Sequence, residues 1–178
     1  MSDICITTEE LITCVKDLRF GDRIFLTGTI YTARDAAHKR IFEILDSDGE
    51  LPFDIKNSVI YYAGPTPSRT TGVAGSIGPT TSSRMDTFAP RLLDLGLLAM
   101  IGKGDRSEEV CEAIKRNGAA YLCAGGGLGA LISKCVDSIE EIAFFDLGCE
   151  SIKKLYVKNM PLIMAIDSQG ESIFNRKL

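Results

Sequence analysis

The first third of the chain alternates between strand-like and helix-like patterns of apolar and polar positions. A short helix over Glu9–Leu18 is predicted after a capping threonine and ends at a glycine. Asp22–Tyr31 is rich in β-branched and aromatic residues, which predicts a strand. It runs into a charged, helix-favouring stretch from Thr32 to about Leu45. Val59–Ala63 is the next predicted strand.

The second half repeats strand and helix patterns in a regular order. Glycine and asparagine residues mark the limits of several of these elements. The predicted strands are Leu97–Ile101, Ala119–Ala124 and Ile139–Phe145. The predicted helices are Thr81–Asp94, Ser107–Asn117 and Leu128–Cys135. A β-α-β-α-β order predicts a parallel sheet with crossover helices. Leu155–Val157 and Pro161–Ile166 then predict strands with no helix between them. We therefore expect an α/β fold, a single β/β/α layered domain of the swivelling type over residues 1–178, with a mixed sheet.

The stretch Gly64–Ser83 is dominated by Gly, Pro, Ser and Thr. Such a stretch is either a linker or a functional loop. Gly72–Ile77 has a strand pattern and a predicted helix follows at once, which favours a functional loop.

Composition and charge exclude several classes of protein. The chain has 178 residues and a formal charge of −4, so it lacks the basic excess of a general nucleic-acid binder. Its apolar runs are far shorter than the roughly 20 residues that span a bilayer, and no secretory signal is visible. We expect a cytoplasmic protein. The single histidine and six scattered cysteines predict that this chain by itself holds no metal.

One glycine-rich motif resembles a nucleotide-binding turn. Gly125–Ala130 follows a predicted strand, precedes a helix and fits the pattern G-x-G-x-x-A. The motif comes late in the chain, however, and too little sequence follows to build a nucleotide-binding half. A tight turn that packs closely or faces an anion is the preferred interpretation, and dinucleotide binding stays a minor alternative.

The candidate chemistry is concentrated in Gly78–Asp86, a glycine-proline turn that delivers hydroxyl groups to a predicted helix start. Free amides at a helix start favour an anion. Arg84 follows Thr80 by four residues, so both can lie on one side of the opening turn. This combination predicts a carboxylate or phosphate site. The equally weighted alternative is a simple cap with a solvated arginine.

Two further cations stand close to predicted strand ends. Lys103 lies between two glycines just after Leu97–Ile101, at the edge where open α/β sheets bind ligands. For an isolated lysine, a solvated loop residue is the more common alternative. Arg34 follows the strand that ends at Tyr31, and His38 comes one turn later. We expect His38 to be a packing or hydrogen-bonding residue, although an unperturbed histidine could exchange protons.

Four segments together resemble a known family. They are Thr32–His38, Gly78–Asp86, Ile101–Ser107 and Asp146–Gly148, in this order. They are similar to the β subunit, or C-terminal domain, of the iron–sulfur-dependent class I fumarases and L-tartrate dehydratases. The resemblance extends from about Thr7 to Gly170.

The resemblance implies a hydro-lyase that hydrates fumarate reversibly to L-malate. It implies a 4Fe-4S cluster on a separate α subunit, so that the enzyme is a heteromer of α and β chains. By motif match, Arg34, Arg84 and Lys103 would bind the substrate, and Thr80, Arg84 and Lys103 would be catalytic, with Thr80 moving a proton at carbon. An L-tartrate dehydratase β subunit and a non-catalytic anion-binding regulatory module are the alternatives.

Overall fold

The structure is a computed structural model that describes residues 3–67 and 74–175. It is a mixed α/β fold, as the sequence predicts, with seven strands in one sheet. The strands are β1 (Asp3–Thr7), β2 (Arg23–Thr32), β3 (Val59–Tyr61), β4 (Ala99–Gly102), β5 (Ala120–Cys123), β6 (Val136–Ala143) and β7 (Ile152–Ile166). The α-helices of the described residues are α1 (Thr8–Cys14), α2 (Asp35–Asp46), α3 (Ala89–Asp94), α4 (Glu108–Asn117) and α5 (Gly129–Ser133). Short 3₁₀ turns occupy Ser82–Met85 and Phe145–Glu150.

The sheet combines a parallel part with an antiparallel part. β1 to β5 pair in sequence order and are all parallel. The long strand β7 is antiparallel to both β2 and β5, so β2, β3, β4, β5 and β7 form a closed circuit of paired strands. β6 pairs antiparallel with β7. The mixed sheet is confirmed, and the swivelling-type layering stays a prediction.

The central parallel strands are buried on both faces and separate two hydrophobic clusters. In β3, Val59 and Tyr61 belong to the cluster that includes residues of β2 and β7, whereas Ile60 faces the cluster that includes α2, α3 and α4. β4 and β5 alternate in the same way. Because successive side chains point to opposite faces of a strand, this pattern requires near-continuous apolar sequence, which these strands have.

Several predicted elements differ from the observed ones. The predicted helix Thr81–Asp94 is split into the 3₁₀ turn and α3, because Pro90 lies within the first turn of α3 and fits best there. The two strands predicted after residue 154 are one strand, β7. The predicted strand Ile139–Phe145 starts earlier, as β6, and is antiparallel rather than parallel. β1 was not predicted at all.

The predicted strand at Gly72–Ile77 falls partly outside the described residues. Positions 72 and 73 are not described, and residues 74–77 are not in a strand. Backbone hydrogen bonds instead join Thr66 to Gly75 and Ser76, so the two ends of this loop lie side by side.

Candidate functional site

The carboxyl ends of neighbouring parallel strands place the predicted cations at one edge of the sheet. Arg34 comes two residues after β2, and Lys103 comes directly after β4. β3 lies between these strands and is paired to both. Ligands of α/β sheets bind at this edge because the loops that follow parallel strands meet there.

The segment carrying Thr80 and Arg84 crosses this edge. Pro79 forms an antiparallel bridge with Ala63, and the Thr80 amide donates to the Tyr62 carbonyl at 2.7 Å. Thr81 then forms a parallel bridge with Lys103. Backbone pairing thus holds the threonine loop and the lysine loop together as one unit.

A hydroxyl pair beneath these loops adds a second connection. The Ser82 amide donates to the Lys103 carbonyl at 2.9 Å, and the Lys103 amide donates to Ser82 Oγ at 3.1 Å. The hydroxyls of Ser82 and Tyr121 are hydrogen bonded at 2.8 Å, and Tyr121 Oη also lies 2.8 Å from the carbonyl of Gly104. Burial raises the pKa of Tyr121, so this hydroxyl stays protonated and able to donate.

The predicted cradle of free helix amides is wrong for Thr80 and Ser82. No α-helix begins at Thr80, and the amides of Thr80 and Ser82 are already bonded to carbonyl oxygens. Thr81 makes no capping bond with its side chain. The amides of Thr80 and Ser82 are therefore not free to bind an anion, whereas the side chain of Arg84 is half exposed.

Arg84 is held by a carboxylate instead of being freely solvated. Its Nε donates to Asp35 Oδ1 at 3.0 Å, and its Nη2 lies 3.0 Å from Asp35 Oδ2. The Arg84 side chain is 51% exposed, and that of Asp35 is 26% exposed. Because Asp35 is adjacent to Arg34, this two-point ion pair joins the 3₁₀ turn to the loop after β2.

Arg34 is oriented by a residue that is distant in sequence. It precedes the first turn of α2, and its Nη2 lies 3.5 Å from Glu150 Oε1. Glu150 Oε2 accepts a hydrogen bond from the Ala36 amide at 3.0 Å. A single carboxylate thus caps the start of α2 and contacts the Arg34 guanidinium, whose Nε is buried with no hydrogen-bond partner among the described residues.

A buried ion pair lies below the site. The Arg106 side chain is fully buried, with its guanidinium between the rings of Tyr62 and Tyr121 at 5.4 and 4.9 Å from their centroids. Its Nε donates to Asp86 Oδ1 at 2.7 Å, and the Ser107 amide donates to Asp86 Oδ2 at 2.7 Å. This pair connects the end of the 3₁₀ turn to the loop after Lys103.

His38 is a buried, neutral hydrogen-bonding residue, which agrees with the expected packing role. Its Nδ1 lies 2.8 Å from the Arg34 carbonyl, so Nδ1 carries the proton and donates. Burial lowers the pKa of His38 to about 4. The ring therefore supports the backbone of Arg34 and is uncharged near neutral pH.

The glycine-rich turn is explained by packing. At Gly129 the neighbouring atoms leave no room for a side chain. An added Cβ would lie 2.9 Å from the Gly78 amide nitrogen and 2.3 Å from Ser76 Oγ. The Gly129 carbonyl also accepts a hydrogen bond from the Ile77 amide at 3.0 Å. The turn thus supports the loop that leads to Thr80, and α5 is a single short helical turn.

The described residues contain no group of three or more His, Cys, Asp or Glu that could hold a metal ion. The six cysteines, all in the described ranges, are unpaired. Within the same ranges, no helix is long and apolar enough to cross a bilayer.

Sequence reasoning missed the carboxylates and the buried arginine that hold the site together. Asp86 and Arg106 each belong to a motif singled out above, and their opposite charges were a signal that the two motifs could pair. Glu150 follows the Asp146–Gly148 motif by two residues. Its contact with the start of α2 spans 114 positions and leaves no local pattern.

Comparison with known families identifies the chain. Residues 1–177 match the sequence model of the family described as Fumarase C-terminus. The chain therefore belongs to this family, as its four motifs predict.

Individual relatives fall into two groups by length. A protein of Methanocaldococcus jannaschii named putative L(+)-tartrate dehydratase subunit beta is 43% identical over 166 residues, covering 90% of this chain and 85% of the relative. The L(+)-tartrate dehydratase subunit beta of Escherichia coli is 35% identical over 97% of this chain and 88% of its own length. The anaerobic class I fumarate hydratase of Escherichia coli is 35% identical over 94% of this chain but only 31% of its own length. The chain thus spans about a third of that fumarate hydratase.

Proposed function

We propose that the chain is the β subunit of a hydro-lyase that hydrates fumarate reversibly to L-malate and acts together with a cluster-bearing α subunit. One observation carries the proposal. In a member of the Fumarase C-terminus family, three cations and a threonine are joined at the carboxyl edge of a parallel sheet. The swivelling-type layered domain over residues 1–178 is part of the same proposal.

The cations suit a small dicarboxylate. Each carboxylate of such a substrate needs a charge-assisted partner once it leaves water. Arg34 and Arg84 offer planar guanidinium groups that can bind a carboxylate at two points and fix its orientation. Lys103, which is exposed and has no carboxylate within ion-pair distance among the described residues, adds a single charge.

The same groups can favour the transition state. Removing a proton next to a carboxylate builds negative charge on that carboxylate, and fixed cations stabilise this charge more than they stabilise the ground state. Thr80 is proposed to take or relay the proton at carbon. A threonine hydroxyl is a weak base, so this role requires the nearby cations and a carboxylate from the partner.

The 4Fe-4S cluster is assigned to the α subunit. The cysteines and the single histidine of this chain do not form a ligand set in the described residues, so they do not fit a cluster. When bound to the partner, the cluster would supply a Lewis acid for the substrate oxygen. Relatives named as a β subunit support the separate partner. We also propose a cytoplasmic location.

An L-tartrate dehydratase β subunit is the second candidate. It is favoured by relatives of that name that match this chain over most of their length. The two candidates share the site residues and differ in the hydroxyl groups of the substrate.

The test is turnover by the complex reconstituted with an α subunit that carries three separated cluster cysteines. Fumarate, L-tartrate and mesaconate are assayed in parallel, and fumarate is expected to be the best substrate. Faster turnover of tartrate would replace the first candidate by the second. Binding of an unrelated anion, without turnover and without a partner, would favour the regulatory module.

Substitution of the cations tests the site itself. Arg84→Ala and Lys103→Ala should each lower turnover by about 10²-fold or more, since each removes a charge that stabilises the transition state. Arg23→Ala is the matched control, because Arg23 is also 51% exposed and also pairs at 3.0 Å with an aspartate, Asp3. Full activity in either site variant would contradict the assignment.

A further inference from the structure

We propose that Asp35 is a positioning residue that aims Arg84 at the substrate. This inference rests on the proposed function and deepens it, because it concerns how the same site is prepared before the dicarboxylate arrives. It is carried by the two-point contact between Asp35 and Arg84 and by the firm anchoring of Asp35 itself.

The contact leaves the useful edge of Arg84 open. A guanidinium group has five N–H donors, on Nε and on its two terminal nitrogens. Asp35 takes the side edge, with a hydrogen bond from Nε to Oδ1 and an ion-pair contact between Nη2 and Oδ2, each at 3.0 Å. Oδ2 is buried and makes no hydrogen bond among the described residues. The end edge, with Nη1 and the second hydrogen of Nη2, is left for another carboxylate. The ion pair therefore orients the half-exposed Arg84 side chain and still leaves donors free to bind a substrate carboxylate.

Asp35 has a short, half-buried side chain at an anchored helix start, whereas the long side chain of Arg84 is 51% exposed. Asp35 is the first residue of α2, a helix of 12 residues, so the helix dipole stabilises its negative charge. The start of α2 is tied down by Glu150 at the Ala36 amide and by His38 at the Arg34 carbonyl. The backbone of the 3₁₀ turn that carries Arg84 is held to Lys103, but the Arg84 side chain extends from it towards solvent. Asp35 is thus the anchored partner that restrains this long side chain.

Positioning and simple electrostatics predict opposite results when the Asp35 charge is removed. An uncharged residue at position 35 makes the site more positive, which by Coulomb attraction alone would tighten the binding of a dianion. If Asp35 acts by orienting Arg84, the same change weakens binding, because the side chain must then be ordered on binding. A purely structural role would lower the thermal midpoint and leave affinity unchanged.

The experiment measures L-malate affinity and steady-state kinetics of the assembled α–β complex with Asp35→Asn. We expect the dissociation constant and KM to rise about tenfold to thirtyfold, the equivalent of ordering one long side chain, with a smaller change in kcat. Asp35→Glu, which restores the carboxylate, should recover part of the loss. In the Arg84→Ala background, Asp35→Asn should cause no additional loss.

The matched control is Asp46→Asn. Asp46 ends the same helix and pairs with an arginine of α3, Arg91, away from the site residues. This variant should leave malate affinity unchanged. Tighter or unchanged binding in Asp35→Asn, or an equal loss in Asp46→Asn, would overturn the proposal.

A second measurement does not depend on activity. In the full chain, the Arg84 Nε proton should give a slowly exchanging nitrogen-15 NMR signal that is lost in Asp35→Asn and kept in Asp46→Asn. Persistence of that signal in Asp35→Asn would overturn the positioning role. If the signal behaves as expected but the wild-type complex hydrates no dicarboxylate, the proposed function fails and the ion pair stands.

Discussion

His38 illustrates how burial changes the chemistry of one residue. The sequence offers it as a possible proton carrier because the ordinary pKa of histidine is close to neutral. In the structure it is fully buried, donates to the Arg34 carbonyl and has its pKa lowered to about 4. A histidine with this pKa supports the backbone of Arg34 and carries no positive charge at neutral pH.

This burial predicts a pH dependence of stability. Because the folded-state pKa lies below the unfolded value of 6.5, the unfolded chain binds more protons at acidic pH, and stability falls as the pH drops from about 6.5 through 4. The loss is up to about 3 kcal/mol from this residue. In His38→Gln, residue 38 cannot titrate. The free energy of unfolding, measured in urea at pH 6.5 and at pH 4, should therefore fall by about 3 kcal/mol less in this variant than in the wild type. Identical pH profiles for the two proteins would contradict the neutral state of His38.

The buried ion pair between Asp86 and Arg106 is expected to contribute to the free energy of unfolding. Arg106 is fully buried between two aromatic rings, and Asp86 is its charged partner. Asp86→Asn should lower the free energy of unfolding by about 3–5 kcal/mol, since a buried charge is left unpaired. Denaturant unfolding measures this change.

The control for this prediction is an exposed pair of the same type. Asp94 pairs with Arg116 at 2.7 Å, and both side chains are 49% exposed. Asp94→Asn should change the unfolding midpoint little, because solvent screens the pair. A similar loss in both variants would show that burial of Arg106 is unimportant.

At the scale of elements, the local patterns predict strands and helices well and fail where pairing is distant. β2, β4, α2 and α4 lie close to their predicted positions because their periodicity and their glycine breaks are local signals. Pro90 is a local signal for a helix start, which explains why the predicted helix Thr81–Asp94 is divided. The antiparallel direction of β6 could not be predicted, because it depends on pairing with a strand that comes later in the chain.

Gly102, the last residue of β4, makes close packing of the Thr80–Arg84 segment possible. A Cβ on Gly102 would lie 1.9 Å from Ser82 Oγ. Gly102→Ala should therefore displace the Ser82 turn, lower stability by about 1–3 kcal/mol and reduce turnover of the complex. Thermal unfolding and activity measure the two effects.

Gly126→Ala is the control for this substitution. Its added methyl group would meet only the Lys103 side chain, at 4.0 Å, which is an ordinary contact. It should leave the thermal midpoint close to that of the wild type. If Gly102→Ala is equally well tolerated, the close approach to Ser82 does not constrain the site.

For the whole molecule, the motifs indicate the candidate site residues but not the contacts that hold them in place. Arg34, Thr80, Arg84 and Lys103 follow from motif resemblance, and the rule of carboxyl strand ends predicted the edge at which Lys103 lies. Asp35, Glu150 and Arg106 hold these residues through contacts between distant parts of the chain. Such contacts depend on the closed circuit of strands, which no local pattern encodes.

The proposed function predicts that loss of a cluster held by the α subunit abolishes activity while this subunit stays folded. We expect oxidative removal of the cluster from the reconstituted complex to eliminate hydration of fumarate, and iron with sulfide to restore it. The circular dichroism of the isolated β chain should be the same before and after the treatment. Hydration of fumarate by the β chain alone would contradict the assignment of the cluster to the partner.

The carboxylates of Asp35 and Glu150 also reduce the net charge of the candidate site. Arg84 and Arg34 already face Asp35 and Glu150, so these residues and Lys103 together present a surplus of a single positive charge. A single net charge gives little electrostatic steering. We therefore expect the association of a dicarboxylate with the site to depend only slightly on ionic strength. Under the proposed function, selection of a dicarboxylate would then depend on direct contact with the planar guanidinium groups of Arg34 and Arg84.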